Sequence, residues 1–79
     1  LDYSAFKMYP NPASDVLNIL SENIIKRVVI LDVNGRIVRS MSVENTQLAM
    51  DVSIFQEGLY LLSVETAKGI YTQKLLIQK

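Results

Sequence analysis

The sequence predicts an all-β domain, an antiparallel β-sandwich of about seven short strands. Three observations lead there. Apolar residues alternate with polar ones at period two, as in Leu48, Met50 and Val52 against Ala49, Asp51 and Ser53. Turn-forming clusters punctuate the chain at roughly ten-residue spacing. No stretch keeps helical spacing over the length a helix needs.

The opening residues 1–8 read as linker or a short first strand, with Phe6–Tyr9 able to extend. Pro10 and Pro12 then interrupt any ladder, because neither can donate a backbone hydrogen bond, and Asn11 before a proline is driven to extended geometry. From the residues alone, this is a rigid turn at the domain entrance. Asp15–Leu20 follows as a strand with Leu17 and Ile19 on one face, and Ser21-Glu22-Asn23 as a polar turn. Ile25–Val33 is rich in β-branched residues and leads into Asp32-Val33-Asn34-Gly35-Arg36.

Two registers are open at that turn. A two-residue Asn-Gly turn pairs Val33 with Arg36. A type I turn closed by Gly35 in the left-handed region pairs Asp32 with Arg36 and Ile30 with Val38. Asp favours the first position of a type I turn, and this register sets opposite charges across from each other, so it is preferred. Ile37–Met41 returns, Glu44-Asn45-Thr46 reads as a loop, and Phe55–Tyr60 as a corner. There Phe55 plugs the end of the core, while Tyr60 supplies area and a hydroxyl for the loop backbone. The chain closes with a hairpin across Ala67-Lys68-Gly69. Tyr60, Leu62 and Val64 share one side of its first strand; Leu75 and Ile77 share one side of its second, against Lys74, Leu76 and Gln78. A strand so apolar needs a sheet to join, and its open edge invites pairing with a partner strand.

Composition narrows function mostly by exclusion. The 79 residues suit one small domain, and 49% are hydrophobic, enough for a compact core. Eight basic and eight acidic residues balance without a like-charge run, which argues against a nucleic-acid partner. With no His and no Cys, a nucleophile–base pair or a metal cage is hard to build, and Asp15, Asp32 and Asp51 are scattered over strand ends and turns. No catalytic residue, cofactor, metal site or small-molecule substrate is expected. The chain starts at Leu1 without a leader-like segment, and reads as a piece of a longer product or a processed form. A module of this kind binds, spaces or addresses its neighbours.

The ordered motifs carry a resemblance. Tyr9-Pro10-Asn11-Pro12-Ala13 comes first, then Leu17-Asn18-Ile19 and Ile30-Leu31-Asp32-Val33-Asn34-Gly35-Arg36-Ile37-Val38. Asp51-Val52-Ser53, Gly58-Leu59-Tyr60 and Lys74-Leu75-Leu76-Ile77-Gln78-Lys79 complete the set. From about Phe6 to Lys79 the chain resembles the type A C-terminal sorting domain of the type IX secretion system of Bacteroidetes. Leu31 departs from the aromatic common there, and Phe55 from a Leu; both keep the position apolar.

The resemblance implies an immunoglobulin-like sandwich that acts as an address. It implies an N-terminal cargo domain on the same chain, periplasmic transit, and reading by the outer-membrane translocon and its shuttle proteins. Cleavage by a sortase-type cysteine protease and attachment at the cell surface would follow. By analogy, Lys74, Leu75, Leu76, Ile77, Gln78 and Lys79 form the recognition strand. Gly58, Tyr60, Asp32, Gly35 and Arg36 support it, and Pro10, Asn11 and Pro12 mark the boundary. Gln78 and Lys79 are expected to matter little to folding. The rival expectations are a non-catalytic adhesive or carbohydrate-binding module, and a spacer or dimerisation domain.

Overall fold

A computed structural model describes residues 6–79; the rest of the expected linker, residues 1–5, lies outside the described residues. Five antiparallel strands run in chain order: β1 (Phe6–Tyr9), β2 (Val16–Leu31), β3 (Ile37–Asp51), β4 (Gly58–Thr66) and β5 (Gly69–Ile77). The all-β, antiparallel expectation holds, but the strands among the described residues number five rather than about seven. Two expected breaks do not end a strand. At Ser21-Glu22-Asn23, Ser21 pairs with Phe6 of β1, and its hydroxyl accepts the Asn23 N–H at 3.1 Å. The polar residues are thus satisfied inside β2, whose register against β3 jumps between Leu20 and Ile25. At Glu44-Asn45-Thr46 the chain kinks through Glu44, at φ 61°, and β3 continues.

These long strands make β2 the spine of the sheet. Its first part pairs with β1, its second part with β4, and β3 follows it on the other side along both. The order is β1-β2-β4-β5, with β3 paired to β2 off that path. The outer edge of β3 carries the Glu44 kink and a shift that leaves Val38 without a partner in β2, irregularities that discourage edge-to-edge pairing.

Alternation places the core as the pattern demanded. Leu17 and Ile19 are buried, as are Leu62 and Val64 of β4 and Leu75 and Ile77 of β5. Phe6, Ile25, Val28, Ile30, Met50 and Val52 complete the cluster with Ala13. β4 and β5 form the expected hairpin, Thr66 facing Gly69 across Ala67-Lys68. Gly69 stands at φ 147°, a backbone region that disfavours a Cβ. Phe55 and Tyr60 stack with ring centroids 5.6 Å apart, both packed against the core, and the Tyr60 hydroxyl donates to the Gln56 carbonyl at 2.8 Å.

Leu62 has no solvent exposure whereas Ile54 is 74% exposed, so truncation should cost much at the first and little at the second. Leu62→Ala is expected to cost about 2–5 kcal/mol in chemical denaturation, through lost burial and the cavity left behind. Ile54→Ala should stay within about 0.5 kcal/mol. Equal losses would contradict the placement of the core.

Candidate functional site: the end of the sheet where the motifs meet

Motifs far apart in sequence converge at one end of the sheet. Asp32–Arg36 connects β2 to β3 there, and the registers bring β4 and β5 to the same place. Leu31 pairs with Ile37 on one side and with Leu61 on the other, and Leu61 pairs in turn with Lys74. One step further along, Leu59 faces Leu76, and Gly58 faces Ile77. Leu59, Leu61, Leu76 and Ile37 are all solvent-exposed, so a stripe of aliphatic side chains lies on the outer side of this end. Leu75 and Ile77 point the other way and are fully buried, as is their neighbour Leu62.

The turn itself is the preferred one of the two registers. The Gly35 N–H donates to the Asp32 carbonyl at 3.0 Å, and Asp32 N–H to the Arg36 carbonyl at 2.9 Å. Gly35 takes φ 85°, the left-handed geometry a side chain would oppose. The next expected pair is corrected: Ile30 faces Arg39, not Val38, because the register shifts by one residue between Ile30 and Leu31. Asp32 Oδ1 accepts the backbone N–H groups of Asn34 and Arg36, both at 2.9 Å. These hold its carboxyl below the usual range, the Arg36 N–H most strongly, with the Arg36 guanidinium at 3.7 Å adding to it. Asp51, whose carboxylate accepts the Ser53 hydroxyl and N–H, is likewise shifted down.

The edge of β5 differs most from expectation. It is not open along Lys74–Gln78, because Asn11–Ala13 lies against it. Asn11 Nδ2 donates to the Lys74 carbonyl at 3.2 Å, while its Oδ1 accepts the Leu76 N–H at 3.0 Å. Ala13 then pairs in parallel with Ile77: its N–H donates to the Leu76 carbonyl and its carbonyl accepts the Gln78 N–H, each at 2.8 Å. A side chain does part of this work. Continuing the parallel ladder from Ala13, the Lys74 carbonyl and the Leu76 N–H would meet the backbone N–H and carbonyl of Asn11; its side-chain amide, which carries both a donor and an acceptor, takes their place. An Asn held between two prolines was the available signal, and reading the segment as a turn alone missed its partner.

Gln78 and Lys79 are not passive either. Besides the Gln78 bond to Ala13, the Lys79 ammonium donates to the carbonyls of Ser14, at 3.3 Å, and Ser53, at 2.5 Å. Its backbone N–H reaches Glu57 at 3.2 Å. The two residues tie the last strand to the connections before β2 and β4, which revises the expectation that they matter little to folding.

Among the described residues no group of three or more His, Cys, Asp or Glu side chains is placed to hold a metal. A groove of about 200 Å³ lies elsewhere, lined by Tyr9, Asn18, Leu20, Gln47 and Ala49 among others, and holds no ionisable side chain except the Tyr9 phenol.

The chain matches the family model of the secretion system C-terminal sorting domain over residues 7–78, and it belongs to that family. Membership marks it as a type IX secretion sorting signal, a non-catalytic role, exported toward the outer membrane and cell surface through interaction with that machinery. A comparison with curated proteins finds no match.

The Asp32 turn makes a pH-dependent prediction. A carboxyl whose folded pKa is depressed stabilises the fold above its ordinary value, about 3.9, and that stability is lost as pH falls through the folded pKa. Asp32→Asn keeps an acceptor oxygen but cannot ionise. Between about pH 6 and about pH 2 its melting temperature should therefore fall less than that of the unsubstituted domain. Equal acid sensitivity would contradict the role given to the ionised carboxylate.

Proposed function

We propose that the domain is read in its folded form at the motif-bearing end, and that this reading sends its cargo across the outer membrane. The observation that carries the proposal is the convergence of the Asp32–Arg36 turn, Gly58–Tyr60 and Lys74–Lys79 on one end of the sheet. In this account Leu76 and Lys74 are contact residues on β5, with Leu59 and Leu61 beside them. Leu75 and Ile77 hold the strand in place from the core side. Gln78 and Lys79 fix the end of the strand, and Gly58, Tyr60, Asp32, Gly35 and Arg36 shape the turn and corner around it. Pro10, Asn11 and Pro12 mark the boundary toward an N-terminal cargo domain.

The finer steps belong to the same proposal. The bent five-stranded sheet is an immunoglobulin-like sandwich, with β2 and β3 each serving two layers. The partners are the translocon and its shuttle proteins, and after transit from the periplasm a sortase-type protease releases the domain as the cargo is attached at the surface.

The carbohydrate-binding alternative finds little support among the described aromatic rings. Phe6 is buried, and Phe55, Tyr60 and Tyr71 pack against the core, which leaves Tyr9 as the exposed ring.

Residues 1–79 fused to the C-terminus of a periplasmic reporter, in a strain carrying this secretion system, should bring the reporter to the surface or the medium. A folded fusion that stays in the periplasm would sink the proposal. Leu76→Ser probes recognition with limited damage, since Leu76 is already 39% exposed. It should lower delivery about tenfold, as expected for about 1.4 kcal/mol of lost docking, while stability moves by no more than about 1 kcal/mol.

A further inference from the structure

The edge of β5 along Lys74–Gln78 is covered by a segment of the same chain. Asn11–Ala13 runs parallel to Lys74–Gln78 and satisfies the outward groups of that edge: the Lys74 carbonyl, both backbone groups of Leu76, and the Gln78 N–H. Two of the four bonds come from one side chain, and Asn11 and Pro12 are exposed to solvent. Only the Ala13 methyl is buried. The segment is pinned on both sides, by Asn18 Nδ2 on the Tyr9 carbonyl and by the Val52 N–H on the Asp15 carbonyl. It can therefore lift as a short loop without unravelling β1 or β2. Past Lys74 the same edge continues through Thr72 and Ile70, where it meets no backbone partner among the described residues.

We infer that Asn11–Ala13 is an exchangeable strap, and that an extended segment of the export machinery takes its place on β5. The incoming strand remakes the same backbone bonds in parallel, gains the edge at Thr72 and Ile70, and needs a small side chain where Ala13 now sits. Exchange is favoured because the strap makes its four bonds through only two residues, Asn11 and Ala13, and two of the four through an exposed side chain, whereas an ordinary strand makes them all through its backbone. The inference rests on the domain acting as an export signal.

The test uses the reporter fusion of residues 1–79 and the purified domain. Ala13→Cys with Ile77→Cys joins bridge partners, a pairing whose backbone spacing suits a disulfide, and locks the strap shut. The same double variant with its disulfide reduced controls for packing damage. The locked fusion should fold and yet lose surface delivery, and reduction should restore it. Asn11→Ala should loosen the strap, raising amide exchange at Leu76 and Gln78 by about tenfold or more with delivery retained. Normal delivery by the locked fusion overturns the inference, as does loss of delivery in Asn11→Ala, which would make the strap a fixed part of the recognised surface. Failure of the unsubstituted fusion to leave the periplasm instead removes the underlying export reading.

Discussion

A strand buried on one face and lying at the end of a sheet has a backbone problem, and the solution to it shapes this domain. Leu75 and Ile77 are fully buried, so β5 must stay in the sheet. β4 satisfies one of its edges, and the other, left bare, would be a template for any extended chain. The chain answers with Asn11–Ala13, more than sixty residues earlier in the sequence. That contact closes the molecule on itself. It brings the domain's entrance beside its last strand, and it positions Ser14 and Asp15 to anchor Lys79 and Val52.

The division of labour along β5 follows from the period of two. Leu75 and Ile77 face the core, and Lys74, Leu76 and Gln78 face outward or toward the strap, so one short strand serves both stability and presentation. The same alternation in β4 sets Leu62 inward and Leu59 and Leu61 outward. An exposed aliphatic stripe is costly for a domain that has no partner, and its position beside the Asp32 turn is what makes it informative. Burial elsewhere is ordinary, and no buried side-chain nitrogen or oxygen among the described residues lacks a hydrogen-bond partner.

Much of this was legible in the residues. The inward set of Leu17, Ile19, Leu62, Val64, Leu75 and Ile77 could be read from alternation, and the Asp32 turn from its Asp and Gly positions. The Phe55–Tyr60 corner could be read from its spacing. Strand ends were harder. Ser21-Glu22-Asn23 and Glu44-Asn45-Thr46 have turn composition, yet both lie inside strands, because local polarity is satisfied by side chains and a single positive φ without ending the ladder. The Ile30–Arg39 pairing depends on a one-residue shift that no local preference announces. The strap was invisible for another reason: its partner is remote in sequence, and its key donor is a side chain amide standing in for backbone.

The entrance motif and the last strand form one hydrogen-bonded unit, and the rest of the fold is arranged around it. Nuclear Overhauser contacts in the isolated domain test this directly. A strong contact is expected between the Ala13 amide proton and the Ile77 Hα, since Ala13 bonds to the residues on either side of Ile77. A folded domain with the β4–β5 contacts intact and no contact from Ala13 to Leu76, Ile77 or Gln78 would contradict it.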